Sequence, residues 1–157
     1  MVSVVLLGFA SFAKPAEGLS KDVLLQLDGY NVVWNTLSTT GSLESMPLGN
    51  GDIAVNAWVE KDGDLMLYLG KSDAWAESTR LLKVGRVRVR LSPNPFDGTE
   101  SYVQALRLAD GKLNITARSK EIRCDLSVWV DANSPAVHLD VRSDKKISVT
   151  CTSELMR

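Results

Sequence analysis

SMPLGNGDIAVNAWVEKDGDLMLYLGKSDAW, residues 45–75, carries the reading of the fold. From Ile53 onward, Ile53, Val55, Ala57 and Val59 alternate with Ala54, Asn56, Trp58 and Glu60. A period of two is the mark of a strand with one buried face. Lys61, Asp62, Gly63 and Asp64 interrupt the pattern, and Leu65, Leu67 and Leu69 resume it. The Asp-Gly pair predicts a tight hairpin, because glycine accepts the positive φ that such turns require. Ahead of these strands Pro47 can set φ in a turn, Gly49 and Gly51 can take positive φ, and Asn50 tolerates the left-handed region. The plain account of Gly49-Asn50-Gly51 is therefore a turn into the strand that follows Asp52. It is not a phosphate loop, since no Gly-Lys-Ser/Thr follows and the next element is a strand. It also lacks the ligand ladder of a calcium-binding loop.

Working outward, strands are expected at residues 30–35, 53–59, 65–69, 87–91, 101–108, 112–117, 123–130, 136–142 and 147–152. Asp110-Gly111 supplies a second hairpin signal. Residues 74–83 show weak helical spacing through Ala76, Arg80, Leu81 and Lys83, with Ser72 as the expected N-cap. About nine short strands with alternating faces and one short helix predict an all-β antiparallel β-sandwich. The expected strand at 147–152 has nothing after it to cover its edge, an arrangement that whole proteins usually manage. The reading is of an incomplete, supersandwich-like domain over 29–157, cut from a longer protein.

The 157 residues, 45% hydrophobic, suffice for one domain with a real core. Eighteen Lys and Arg against nineteen Asp and Glu leave a formal charge of -1, so the chain as a whole offers no attraction to nucleic acid or an anionic membrane. Residues 2–13 are an uncharged apolar run of about signal-peptide length, with Ser11 and Ala13 placed for cleavage after Ala13. That implies export, to a periplasmic or extracellular location. No basic residue precedes Lys14, so an ordinary apolar strand is the alternative. Cys124 and Cys151 are in phase with apolar neighbours. If turns at Asn133-Ser134 and at residues 143–145 make a meander, the two lie about five residues out of level, roughly 17 Å, too far for a disulfide. Buried free thiols are expected.

Four blocks in order carry a resemblance: YNVVW at 30–34, MPLGNGD at 46–52, GKSDAW at 70–75 and LKVGRVRVRLSPNPF at 82–96. They are similar to the uncharacterised domain family numbered 5703, found at the front of large secreted bacterial proteins with glycosidase-like architecture. More distantly, residues 46–53 resemble the opening block of the N-terminal β-sandwich domain in glycoside hydrolase family 95. The resemblance implies a noncatalytic front domain, followed in the same polypeptide by an (α/α) toroid that holds the catalytic carboxylates. It carries no catalytic residue, metal or cofactor onto this chain. It implies that the loops with Asn50 and Asp52, and with Lys71, Asp73 and Trp75, face the toroid and rim a sugar pocket. A stand-alone carbohydrate-binding module, with Trp75 or Trp58 as its platform, is the alternative.

The remaining candidates have plainer readings beside the chemical ones. Asp52 and Asp73 are the carboxylates to weigh as an acid/base pair, which inverting hydrolysis places about 6.5 to 9.5 Å apart. At a turn, however, an aspartate more often accepts backbone hydrogen bonds. His138 has no triad or metal partners in the pattern. Arg86, Arg88 and Arg90 could bind phosphate or an acidic glycan, or pair with carboxylates across strands on a solvated or interdomain face. Trp34, Trp58, Trp75 and Trp129 could stack on sugars or pack in a core or interface.

Overall fold

The computed structural model describes residues 3–5 and 20–155, and it is an antiparallel sandwich of two sheets. The strands are β1 (Ser3–Val5), β2 (Val32–Trp34), β3 (Met46–Gly49), β4 (Ile53–Val59), β5 (Leu65–Trp75), β6 (Leu81–Ser92), β7 (Ser101–Arg107), β8 (Lys112–Arg118), β9 (Arg123–Val130), β10 (Ala136–Ser143) and β11 (Ser148–Glu154). One sheet runs β1-β10-β9-β8-β7-β2 and the other β11-β6-β5-β4-β3. Thus β3 to β6 form one meander and β7 to β10 another, while β2 and β11 each join the edge of a meander remote in sequence. Among the described residues only β1 is parallel to its neighbour, β10. The leader expected over 1–13 otherwise lies outside the described residues.

The core follows from the alternation. Ile53, Val55, Ala57 and Val59 of β4, Leu65 and Leu67 of β5, and Val87, Val89 and Leu91 of β6 are buried from one side. Leu113, Ile115 and Ala117 of β8, Cys124, Leu126 and Val128 of β9, and Val137 and Leu139 of β10 meet them from the other. The opposite face of the second sheet is polar and carries the arginine ladder. Arg88 contacts Glu60, Asp64 and Glu154, Arg90 holds Asp64, and Arg86 pairs with Glu154. These are the expected cross-strand pairs. Beneath them Trp58 and Met66 are buried on this outer face, with Tyr68 edge-on to the indole at 4.7 Å.

Several local expectations give way. Residues 74–83 are not a helix: β5 and β6 continue as a paired arm, with Trp75 opposite Leu81. Ser72 caps nothing and lies within β5. A helix of about ten residues is marginal by itself, whereas an arm extends an existing ladder, closed here by the Ala76 N–H donating to the Arg80 carbonyl at 2.8 Å. The helix lies instead at α1 (Lys21–Asp28), where the Ser20 hydroxyl accepts from the Val23 N–H. Pro47 sits in β3, an edge strand, where its missing N–H leaves no ladder bond unmade. After β10 the chain crosses to the other sheet rather than turning a hairpin, so Cys151 stands opposite Val89 and is exposed. Cys124 is buried, and both thiols are free.

Candidate functional site

The site grows from the turn between β3 and β4. Gly51 takes φ +93°, and a Cβ on Gly49 would stand 3.0 Å from the Ile53 carbonyl, so the first glycine serves close approach and the second the turn. Asn50 is fully engaged. Its side-chain oxygen accepts from the Asp52 and Ile53 N–H groups at 3.0 and 2.9 Å. Its amide nitrogen donates to the Asp131 and Ser134 carbonyls, at 2.8 and 3.0 Å. One side chain thus closes a turn of one sheet and ties it to the β9–β10 turn of the other. No signal in the sequence names Asp131 or Ser134 as its partners, because they lie 81 and 84 residues away.

Beside this turn the start of the β5 arm brings Lys71 between two carboxylates. Its Nζ donates to Asp52 Oδ1 at 3.0 Å and Asp73 Oδ2 at 2.8 Å. Both contacts hold the ammonium charged: Asp73, then Asp52, raise the Lys71 pKa. The hydrogen bond from Lys71 holds the Asp73 carboxyl below its usual range. That lowering works against Asp73 serving as the protonated acid that glycoside hydrolysis needs. What the cluster offers is a fixed, polar rim.

That rim borders a cleft of about 230 Å³, lined by Gly49, Gly51, Ala54, Gly70, Ser72 and Leu81 as well as Asp52 and Lys71. Trp75 is 58% exposed, and its indole N–H donates to the Ser72 carbonyl at 2.7 Å, which anchors the ring. Leu81, Leu82 and Val84 are exposed on the same arm. Asp52, Lys71, Asp73 and Trp75 are therefore brought together, and Asn50 stands behind them as a structural tie. Leu81 was hidden by the helical reading of its segment; the apolar run Leu81-Leu82 before the arginine ladder was its signal.

The other candidates stand elsewhere. Trp58 is buried and cannot serve as a platform. Trp34 packs against the core. Trp129 stacks on His138 at 4.9 Å, and the imidazole Nε2 lies 3.5 Å from Asp131 Oδ2. Among the described residues no three His, Cys, Asp or Glu side chains converge as a metal site.

Two sheets over one core, with a polar rim beside an exposed arm, define a β-sandwich domain. The chain belongs to the family described as domain of unknown function DUF5703, matching its N-terminal domain over residues 33–157. No curated protein matches it.

Proposed function

We propose that the chain is the noncatalytic N-terminal domain of an exported glycoside hydrolase-like polypeptide, supporting an (α/α) toroid that follows it and rimming that toroid's carbohydrate site. The observation that carries this reading is the arm bearing Trp75, Leu81, Leu82 and Val84, exposed beside the Asp52–Lys71–Asp73 rim. Trp75 and its partner Leu81 share one face of the arm and Leu82 and Val84 the other, so the projecting arm offers exposed apolar groups on both sides, as an element that inserts against a neighbouring domain would. The likeness of residues 46–53 to the family 95 block adds to it. A carbohydrate-binding module is the second reading, favoured by the exposed and anchored ring of Trp75. Against it, the residue opposite that ring on the arm is Leu81 rather than a polar group of a sugar platform.

The product of the complete gene, assayed beside residues 1–157 on aryl glycosides and polysaccharides, tests the proposal. Hydrolysis is expected from the complete product only, reduced by Trp75→Ala. Oligosaccharide binding by this chain alone, abolished by Trp75→Ala, would establish the module reading instead.

A further inference from the structure

Asn50 is the one asparagine in the chain that precedes a glycine. In that setting the side-chain amide is open to attack by the next backbone nitrogen, since glycine has no Cβ to block the approach. Gly51 is exposed, and the space where its Cβ would stand is open. Against this reactivity stands the tie between the sheets. Asn50 Oδ1 is held by the Asp52 and Ile53 N–H groups, and Nδ2, the nitrogen that would leave, is held by the Asp131 and Ser134 carbonyls. With both ends of the amide fixed, its plane cannot turn to receive the Gly51 nitrogen until the bonds to the β9–β10 turn open.

We infer that Asn50–Gly51 is a self-modification site gated by this tie, so that local opening at the β9–β10 turn, rather than unfolding of the whole domain, sets the rate at which Asn50 is lost. Water is the only reactant beyond the chain itself. The Gly51 nitrogen forms a bond to Asn50 Cγ and gives up its proton, the Cγ–Nδ2 bond breaks, and Nδ2 leaves as ammonia. The resulting succinimide ring then takes up water. Opening at the side-chain carbonyl leaves an aspartate in place of Asn50, and opening at the backbone carbonyl leaves an isoaspartyl link that carries the main chain through Cγ.

Either product ends the tie for good. A carboxylate has no proton to donate to the Asp131 and Ser134 carbonyls. The isoaspartyl link also adds a methylene to a main chain without slack, where a Cβ on Gly49 would stand 3.0 Å from the Ile53 carbonyl. The gate itself rests on Asp131, whose Oδ1 accepts from the Asn133 N–H at 2.8 Å and so shapes the turn that presents both carbonyls.

The full chain, kept in mildly alkaline heavy-oxygen water and then digested for mass spectrometry, reports the acid formed at position 50. The Asp-Gly pairs can isomerise through the same ring but never lose an amide, so the two events are distinguishable. Folded wild type should convert at least about tenfold more slowly than the same chain in urea, because the reaction waits on the open fraction. Asp131→Ala loosens the turn and should speed conversion in the folded chain at least about threefold. Asp64→Asn strips Arg88 and Arg90 of a carboxylate beyond the far end of β4 and should leave the folded rate unchanged. Equal rates in the folded chain and in urea would overturn the proposal. So would Asp64→Asn acting as strongly as Asp131→Ala, which would make global unfolding the gate. Should Asp131→Ala fail to fold, low urea on the wild type separates the same cases: a rate that climbs as steeply as global stability falls would overturn local gating, and a flat rate would support it.

Discussion

At Asn50 a single amide meets both its donor and its acceptor capacity, and it does so across two sheets. Asn50→Ala leaves two N–H groups and two carbonyls to find other partners. It should cost about 2 to 3 kcal/mol by urea unfolding, as expected for a part-buried polar group stripped of its bonds. Asn50→Asp separates the two halves of the role. It keeps the acceptor for Asp52 and Ile53 but turns an oxygen toward the Asp131 and Ser134 carbonyls, so it should be no more stable than the alanine variant. Thr79 is the other residue that merits a test, a β-branched side chain held at φ +59° in the turn of the arm. Thr79→Asn, which the left-handed region tolerates better, should raise stability by about 0.5 to 1 kcal/mol, read as a higher Tm. The Gly49-Asn50-Gly51 turn was legible in the sequence; the clamp across sheets was not, since its partners are set by packing alone.

Among the elements, the β5–β6 arm and the arginine ladder of β6 behave oppositely. The arm is exposed, so Trp75→Ala should change the stability of this chain by less than about 0.5 kcal/mol, read from urea unfolding. The ladder is where one substitution should matter to the fold. Asp64 is 3% exposed and receives bonds from Arg88 at 2.9 Å and Arg90 at 2.8 Å. Asp64→Asn leaves Arg88 half-buried with one carboxylate fewer, at a cost of about 3 kcal/mol at neutral pH. The alternation of Arg86, Arg88 and Arg90 with Val87, Val89 and Leu91 disclosed this ladder beforehand, because side-chain period alone assigns the two faces. The arm was misread as a helix for the complementary reason. Its periodicity is weak, and the extension of a neighbouring ladder outweighs local preference.

For the whole molecule the ladder contributes to the response to acid, beside Glu44, Asp73 and Asp131, whose carboxyls are also held low. Contacts with Arg90, then Arg88, hold Asp64 below its ordinary 3.8, and Arg88, then Arg86, hold Glu154 below 4.5. Between the lowered folded values and the ordinary unfolded ones, the unfolded chain binds more protons, so stability rises with pH through that window. The contribution should be complete above about pH 5 and disappear as pH falls through 4 and below. Urea midpoints from pH 7 to pH 3 should show this, and the gap between wild type and Asp64→Asn should narrow toward pH 3.

The sequence by itself determined the all-β class, most strands, the two Asp-Gly hairpins and the charged face, because each follows from period and turn chemistry within a few residues. Tertiary structure alone decided that β2 and β11 cross to remote edges, that Cys151 is exposed, that Trp58 is buried on an outer face, and that Lys71 joins Asp52 to Asp73. Those outcomes depend on which sheet a strand joins. That choice is made by burial summed over the whole core, and no local pattern records it.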